Sequence, residues 1–401
     1  MSLWHIVFKS LRQHLLSTLV TALSIALAGG LLMSVWIVKE QSQAAFTGVS
    51  AGFDGVLGAR GSKLQLVLNS IFHLEESPGN LAWSDFLDIQ KNPNVQVAIP
   101  IAVGDNYRGY RLVGVTTNLF SGVEYARGRR YRVESPGRAF DATLREAVVG
   151  SFAASRLGLR PGDKFHPYHG LIFDEKSQHA ETYVVVGIME PSNTPADRVI
   201  WIPLEGLQKM TGHDPKAAAD ISAVLVKLKV AIAGQQMDLL YNKQGNRLTF
   251  AWPIARIISQ LFDKIAWFDR VLALVAYLVA LVAAGSILAS IYNSMNERRR
   301  DIAILRALGA PRRTIFCAIV LEASGIAALG MFIAFVAYGA IIGVAAAVIR
   351  AQTGVVIEPL AFHTIMLWAP LAMIALSALA GIVPAVKAYQ TNVADNLAPV
   401  S

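Results

Sequence analysis

The chain has 401 residues, a formal net charge of +8 and one cysteine, Cys317. Apolar residues make up 54% of it, charged residues only 16%, and the mean hydropathy is +0.45. This composition argues against a wholly soluble chain and favours membrane spans. Its basic residues lie beside apolar segments rather than in a stripe with aromatic residues, so no nucleic-acid partner is expected. A single cysteine excludes an internal disulfide and metal sites of the CxxC type.

Four apolar stretches reach the length of about 20 residues that a helix needs to cross the hydrocarbon core. They predict transmembrane helices at 15–38, 270–292, 315–349 and 363–386. The alternative for the first stretch is a cleaved signal peptide, but its apolar core exceeds the usual length of about 7–15 residues. Residues 1–14 have one apolar face, which is typical of a cytoplasmic interfacial helix, although a continuation of the first span would give the same pattern.

Basic residues mark one side of the predicted spans. Lys9 and Arg12 precede the first span, and Lys387 follows the fourth, at the start of a tail of residues 387–401. The loop 293–314 between the second and third spans carries Arg298, Arg299, Arg300, Arg306, Arg312 and Arg313. The outer loop at 350–362 is short. The positive-inside rule therefore predicts that both termini are cytoplasmic.

The largest part outside the predicted spans is an insertion at 39–269. Alternating apolar residues predict strands at 95–104, 107–117, 181–190, 197–204 and 221–230, with a turn at Gly104–Asp105. Helical patterns cover 80–93 and 145–158, and the ends of the insertion read as helical stalks. Residues 50–62 are glycine-rich and predict a loop. The mixture indicates an α/β or α+β domain.

The loop at 293–314 contains a short amphipathic helix. Ile302, Leu305 and Leu308 recur at helical spacing, and Gly309 is well placed to end the helix. Such a helix suits the groove of a cytoplasmic partner. An ordinary basic loop lying on anionic lipid would also account for its arginines. The residues alone favour neither interpretation.

The run ERRRDIAILRALGAPRRTI, residues 297–315, resembles the signature of FtsX-like permeases, the membrane subunits of ABC transporters of the MacB, LolC and LolE type. The stretches REAVVGSFAASRLGLRPGDKF with YVVVGIME, and GIVPAVKAYQ near the C-terminus, are similar to further parts of that family. The resemblance implies an α-helical membrane protein with four transmembrane helices. A large extracytoplasmic mixed α/β domain, like the MacB periplasmic core, would be inserted between helices 1 and 2.

The family resemblance also implies a mechanism. The cytoplasmic helix would be a coupling helix that docks on a separate ABC ATPase subunit, which binds ATP and Mg. The expected docking residues are Glu297, Arg298, Arg299, Arg300, Asp301, Ile302, Leu305, Arg306, Leu308 and Gly309. The chain lacks a GxxxxGK[ST] phosphate loop, so we expect no cofactor in it and no catalysis by it, with ATP hydrolysis in the partner.

Two permease protomers, as a homodimer in a 2+2 complex, would sit in the inner membrane of a bacterium. Membrane lipids and an extracytoplasmic binding or adaptor protein are further expected partners. The complex would move or extract a cargo. The alternative is an FtsX-type signalling subunit that regulates an extracytoplasmic enzyme or sensor without transport. A membrane-anchored enzyme would need only one span.

Several other residues are candidates for a role. His166, His169 and His179, close together in the insertion, are candidate metal ligands, although such histidines also occur in surface loops that bind no metal. Glu322 lies within the third span, where an inter-span hydrogen bond or proton coupling would explain it. Gly339 and Gly343 form a GxxxG pair that suits close helix packing within a protomer or across a dimer.

Overall fold

A computed structural model describes residues 3–13, 15–48, 50–213, 219–297, 303–304, 306–307, 309–353, 356–358 and 361–390. The chain divides into two compact units. The helical unit comprises Met1–Gln41, Ile265–Ala347 and Glu358–Ser401, and the α/β unit comprises Ser42–Lys264 and Val348–Ile357.

Long helices dominate both ends of the chain, and short helices occur between them. In chain order the α-helices are α1 (Leu3–Gln13), α2 (Leu15–Gly48), α3 (Lys63–Ser70), α4 (Trp83–Gln90), α5 (Asn118–Gly122), α6 (Ser151–Leu157), α7 (Leu204–Gln208), α8 (Ala231–Asp238), α9 (Ile254–Glu297), α10 (Arg312–Thr353) and α11 (Ile365–Gln390).

Among the residues that the structure describes, the strands all lie between α2 and α9. They are β1 (Gly55–Ala59), β2 (Val95–Tyr107), β3 (Tyr110–Val115), β4 (Glu124–Ala126), β5 (Arg129–Arg130), β6 (Glu146–Val149), β7 (Lys164–Phe165), β8 (Tyr168–His169), β9 (Tyr183–Ile188), β10 (Ile200–Pro203), β11 (Ala223–Leu228) and β12 (Leu248–Ala251).

One mixed sheet of ten strands organises the α/β unit, in the order β12-β1-β11-β2-β3-β10-β6-β9-β7, with β8 paired to β2. The pairs β3–β10 and β6–β9 are parallel, and the other pairs in this sheet are antiparallel. A separate two-stranded sheet joins β4 and β5. The prediction of a mixed α/β domain is therefore confirmed.

Both faces of the sheet are buried. Because successive strand residues point to opposite faces, Leu112 belongs to one hydrophobic cluster and Val113 to the other. Helix α4 covers the first face through Phe86 and Ile89, and α3 covers the second through Leu66 and Val67, among others. A sheet covered on both faces explains why its strands contain long apolar runs.

In the described residues, four helices are long and apolar enough to cross a membrane, at Leu15–Ala44, Ile254–Asn293, Arg312–Thr353 and Ile365–Lys387. All four expose large apolar side chains, such as Leu27, Val282, Phe332 and Leu379. Side chains of this kind on a long helix suit a lipid environment.

Glycines bring these helices close together. A Cβ atom added at Gly330 of α10 would lie 2.7 Å from Cβ of Ile25 in α2, and one added at Gly381 of α11 would lie 2.8 Å from Cβ of Ala323. Small residues at such positions let helix backbones approach closely.

Three local predictions missed strands of the sheet and were wrong. The predicted loop at 50–62 contains β1, which lies inside the sheet. The predicted helix at 145–158 begins as strand β6 and becomes helical only at Ser151. The predicted stalk after Gly234 includes strand β12 before α9 begins. In each case pairing within the sheet overrides the local pattern.

Candidate functional site

A β-hairpin presents the first residue of a polar cluster. Strand β2 continues through Asp105 to Tyr107, and the turn follows at Arg108 and Gly109, whose φ angles are 49° and 84°. Two successive positive φ angles are typical of a two-residue type I′ hairpin. The turn predicted at Gly104–Asp105 was therefore wrong, and the register shift between Val103 and Asp105 marks a bulge in the strand instead.

Asp105 meets three histidines at this place. Its Oδ1 atom lies 3.4 Å from Nδ1 of His169, 3.3 Å from Nε2 of His179 and 3.2 Å from Nε2 of His213. The four candidate ligand atoms all lie within 4.8 Å of one another. Asp105 is fully buried and His179 is buried, His213 is half-buried, and His169 is exposed. We call this group the His/Asp cluster.

Each member comes from a different part of the α/β unit. His169 lies on β8, directly opposite Asp105 in the antiparallel pair β2–β8. His179 follows a 3-10 turn, and its backbone N–H donates to the carbonyl of Pro167, 2.9 Å away. His213 follows Gly212, whose φ of 96° is a conformation that glycine adopts readily.

A chain of hydrogen bonds orients His179. Its Nδ1 atom lies 2.7 Å from the carbonyl oxygen of Thr211 and donates to it, so Nε2 presents its lone pair to the cluster. Thr211 is held in turn by Glu181, whose Oε1 atom accepts from the Thr211 backbone N–H at 2.9 Å and from its hydroxyl at 2.6 Å. Burial opposes ionisation of Glu181, but these hydrogen bonds and Arg145 outweigh it and lower the pKa of that carboxyl.

His213 is tied to Asp105 electrostatically. Its hydrogen bond with the Asp105 carboxylate raises the pKa of His213 above its ordinary value, against the opposing effect of partial burial. The nearby backbone of Leu207 acts in the same direction and also raises the pKa of His213.

Two buried atoms of the cluster lack a hydrogen-bond partner among the described residues: Oδ2 of Asp105 and Nε2 of His179. A buried polar atom without a partner costs about 1–3 kcal/mol. The cluster borders an open cavity of about 330 Å³, which His169 and His213 line together with Asp220 and Ser222. The arrangement therefore combines converging potential ligand atoms with access from solvent.

The structure assembles two of the three histidines singled out in the sequence. His169 and His179 join the cluster, whereas His166 does not, because its Nδ1 atom lies 3.1 Å from the carbonyl oxygen of Glu181. Sequence reasoning missed Asp105 and His213. The one local signal for His213 was its place after Thr211–Gly212, a pair of turn residues, which marks a loop but not a ligand.

Most of the predicted coupling helix lies outside the described residues, namely Arg298, Arg299, Arg300, Asp301, Ile302, Leu305 and Leu308. Glu297 is the last residue of α9. Ala303, Ile304, Arg306 and Ala307 are helical. Gly309 has a φ of 95°, and its N–H donates to the carbonyl of Arg306, 3.0 Å away. Positive φ at this glycine is typical of a residue that ends a helix.

Aromatic residues hold basic side chains near that segment. The ammonium of Lys387 in α11 lies 4.2 Å from the ring centre of Tyr292 in α9, and Arg312 of α10 lies 5.4 Å from that of Tyr389. Cations placed over aromatic faces are attracted to them. The ends of α9, α10 and α11 that carry these four residues are therefore brought together.

The intramembrane candidates have different surroundings. The Ser10 hydroxyl of α1 donates to Oε1 of Glu322 in α10. A Cβ atom added at Gly339 or Gly343 would meet nothing within 4 Å among the described residues. Among the described residues, the close helix contacts are made at other glycines, such as Gly330 and Gly381.

Long apolar helices joined to a mixed α/β unit define a multi-span membrane protein. The family of FtsX-like permease C-terminal regions matches residues 273–393, and the family of MacB-like periplasmic core domains matches residues 18–237. The chain belongs to the FtsX-like permeases and carries a MacB-like periplasmic core domain. The resemblance noted in the sequence is confirmed.

Proteins similar to this chain include uncharacterized ABC transporter permeases of Mycobacterium tuberculosis and Mycobacterium bovis, each 27% identical over 251 residues. The match spans 62% of this chain and 62% of each relative.

Two solved structures are also similar. The periplasmic region of MacB from Actinobacillus actinomycetemcomitans is 15% identical, with 54% of this chain and 94% of that one covered and a TM-score of 0.36. The extracellular domain of the noncanonic ABC-type transporter YknZ from Gram-positive bacteria is 16% identical, with 49% and 98% covered and a TM-score of 0.30.

Proposed function

We propose that this chain is the permease subunit of a MacB/FtsX-type ABC transporter. A separate cytoplasmic ATPase subunit would bind ATP and Mg and hydrolyse the nucleotide. The proposal rests on one observation, that two family matches occur in the same chain. Residues 273–393 match the FtsX-like permeases, and residues 18–237 match the MacB-like core domains. The related mycobacterial proteins bear the name ABC transporter permease.

The helix between α9 and α10 is the proposed contact with the ATPase. Apolar residues Ile302, Leu305 and Leu308 would fill a groove of the ATPase, and the flanking arginines would fix the register. In support, the described residues of this segment are helical and end at Gly309 in the left-handed conformation. Lys387, Arg306 and Arg312 belong to the same basic side, which the positive-inside rule assigns to the cytoplasm.

The α/β unit would then lie outside the inner membrane of a bacterium, with both termini inside. ATP-driven closure of the ATPase pair would move the coupling helices, and the long helices α2 and α9 would pass the motion to the α/β unit. A cargo would be moved or extracted there, with an extracytoplasmic binding or adaptor protein as a further partner. The signalling alternative, without transport, has no observation that favours it.

A second protomer is part of the proposal, as a homodimer in a 2+2 complex. Gly339 and Gly343 of α10 support it, because both are exposed and the described residues leave their surroundings open. Close packing through GxxxG is one way in which membrane helices associate.

The test is co-purification of the tagged permease with its ATPase in mild detergent. We expect an ATP-hydrolysing subunit to accompany the native chain and to be lost with Leu305→Asp, which places a charge on the apolar ridge. Ala307→Asp is the matched control, since Ala307 is exposed and lies off the ridge. Recovery of no ATPase, or equal recovery with Leu305→Asp, would refute the coupling role.

A further inference from the structure

We propose that the His/Asp cluster of Asp105, His169, His179 and His213 is an exchangeable binding site for one divalent transition-metal ion of the zinc class. The proposal goes beyond the transport function and does not depend on it. It stands on the geometry of four side chains that all belong to the α/β unit.

The distances fit a coordination shell. Zinc binds imidazole nitrogen and carboxylate oxygen at about 2.0–2.2 Å, so two ligands of a tetrahedral ion are about 3.3 Å apart. The three distances from Oδ1 of Asp105 to the histidine nitrogens are 3.4, 3.3 and 3.2 Å. These are already the edges of such a tetrahedron. The remaining edges, between histidines, are at most 4.8 Å, so binding would draw the histidine nitrogens together by up to about 1.5 Å.

Hydrogen bonds among the four residues do not account for the cluster. Asp105 Oδ1 accepts a hydrogen bond from His213, but Oδ2 of Asp105 and Nε2 of His179 stay buried without partners among the described residues. Both atoms are lone-pair donors, as a metal ligand must be. A cation would neutralise the buried carboxylate and satisfy the imidazole nitrogen at once.

The hydrogen bonds around His179 are of the kind that normally supports a metal-binding histidine. His179 donates from its other nitrogen to the Thr211 carbonyl, and Glu181 fixes Thr211 through two hydrogen bonds. Such partners set the tautomer and the orientation of a metal-binding imidazole. A histidine held in this way presents Nε2 to the cluster in the tautomer that metal binding requires.

The types of ligand atom in the cluster indicate which ion it would bind. Three imidazoles and one carboxylate suit zinc and its transition-metal neighbours, whereas Mg²⁺ and Ca²⁺ prefer a shell of oxygen atoms. The site is accessible, because His169 is 57% exposed at its side chain and His169 and His213 line the adjoining cavity of about 330 Å³. We therefore infer that the bound ion exchanges with ions in solution and is not sealed in the core.

Zinc titration of the full chain tests the assignment. The chain carries a histidine-free affinity tag, is stripped with a chelator in detergent, and is titrated with Zn²⁺ against a chromophoric competitor. We expect one equivalent to bind, with no competition from Mg²⁺ or Ca²⁺. His213→Ala and Asp105→Ala should weaken binding at least about tenfold. His166→Ala, a histidine close by but outside the cluster, should bind like the native chain.

Two measurements guard against misfolding of the buried variants. His169→Ala changes an exposed side chain, so it should keep the native melting temperature and still lose affinity. Co²⁺ bound in place of zinc should give the visible absorption of a tetrahedral ion in the native chain and in His166→Ala only. The proposal is overturned if no equivalent binds, or if His169→Ala and His213→Ala bind zinc as tightly as the native chain.

Discussion

The Oδ1 atom of Asp105 lies 3.3 Å from Nε2 of His179, and both residues are buried. The sequence predicts a turn at Asp105 and a loop around His179. The contact exists because β2 runs past the predicted turn and β8 pairs with it, which brings the segment that carries His169 and His179 against Asp105.

We expect Glu181 and Thr211, which orient His179, to control the metal affinity of the His/Asp cluster. Glu181→Gln removes the carboxylate that holds Thr211, so the orientation of His179 should relax and zinc affinity should fall roughly 10–100-fold. The competition titration measures it. Glu205→Gln is the matched control, because Glu205 is an exposed residue of α7 that pairs only with Lys209 among the groups described around it. Unchanged affinity in Glu181→Gln would show that Thr211 does not orient His179.

Buried His73 should make the α/β unit sensitive to acid. Burial, with nearby Arg111 and Arg198, lowers the pKa of His73 from 6.5 to about 3. Between those pH values, His73 is protonated in the unfolded chain but not in the folded chain. The free energy of unfolding therefore falls as the pH drops through 6.5 and levels off below about 3. The loss should be on the order of a few kcal/mol, at about 1.4 kcal/mol per pKa unit.

Thermal unfolding of the full chain from pH 7 to pH 4 checks this expectation. His73→Asn keeps a side chain that tolerates the positive φ of 55° at this position and removes the titrating group. Its melting temperature should fall less steeply with acid than that of the native chain. Parallel curves for the native chain and His73→Asn would contradict the expectation.

Two glycines of α10 should respond differently to enlargement. A leucine at Gly330 would overlap α2, since an added Cβ lies 2.7 Å from Ile25, and overpacking of this kind costs about 1–3 kcal/mol. A leucine at Gly339 meets open space among the described residues. We therefore expect Gly330→Leu to lower the melting temperature and Gly339→Leu to leave it nearly unchanged.

Molecular mass in detergent adds a second readout to this pair. If Gly339 packs against a second protomer, Gly339→Leu should shift the particle from dimer to monomer while the chain stays folded. A stable dimer in Gly339→Leu would remove this face of α10 from the protomer interface.

The sequence predicted the long apolar helices and several strands because their signals are local. Apolar runs that exceed a bilayer's thickness and alternating strands such as β9 need no knowledge of distant residues. Strand β1 was missed because its sequence, GVLGA, reads as a loop. It forms inside the sheet, where the missing side chain of Gly58 leaves room for Leu66, which an added Cβ would approach to 2.3 Å.

Only half of the His/Asp cluster could be predicted for a similar reason. His169 and His179 are near one another in the sequence, and their grouping was visible. Asp105 and His213 join them through the pairing of β2 with β8 and through the loop after α7, and neither contact leaves a pattern in the sequence. When tertiary contacts bring the ligands together, the full set can be identified only from the structure.

We propose that this permease transmits ATP-driven motion to its α/β unit. The most direct test is a spin-label distance measurement on the co-purified complex. Cys317 is replaced by serine, and a single cysteine is placed at Ile172, an 84% exposed residue of the α/β unit. We expect the distance between labels on the two protomers to change between the nucleotide-free and ATP-trapped states. The same distance in both states, in a complex that hydrolyses ATP, would contradict the account.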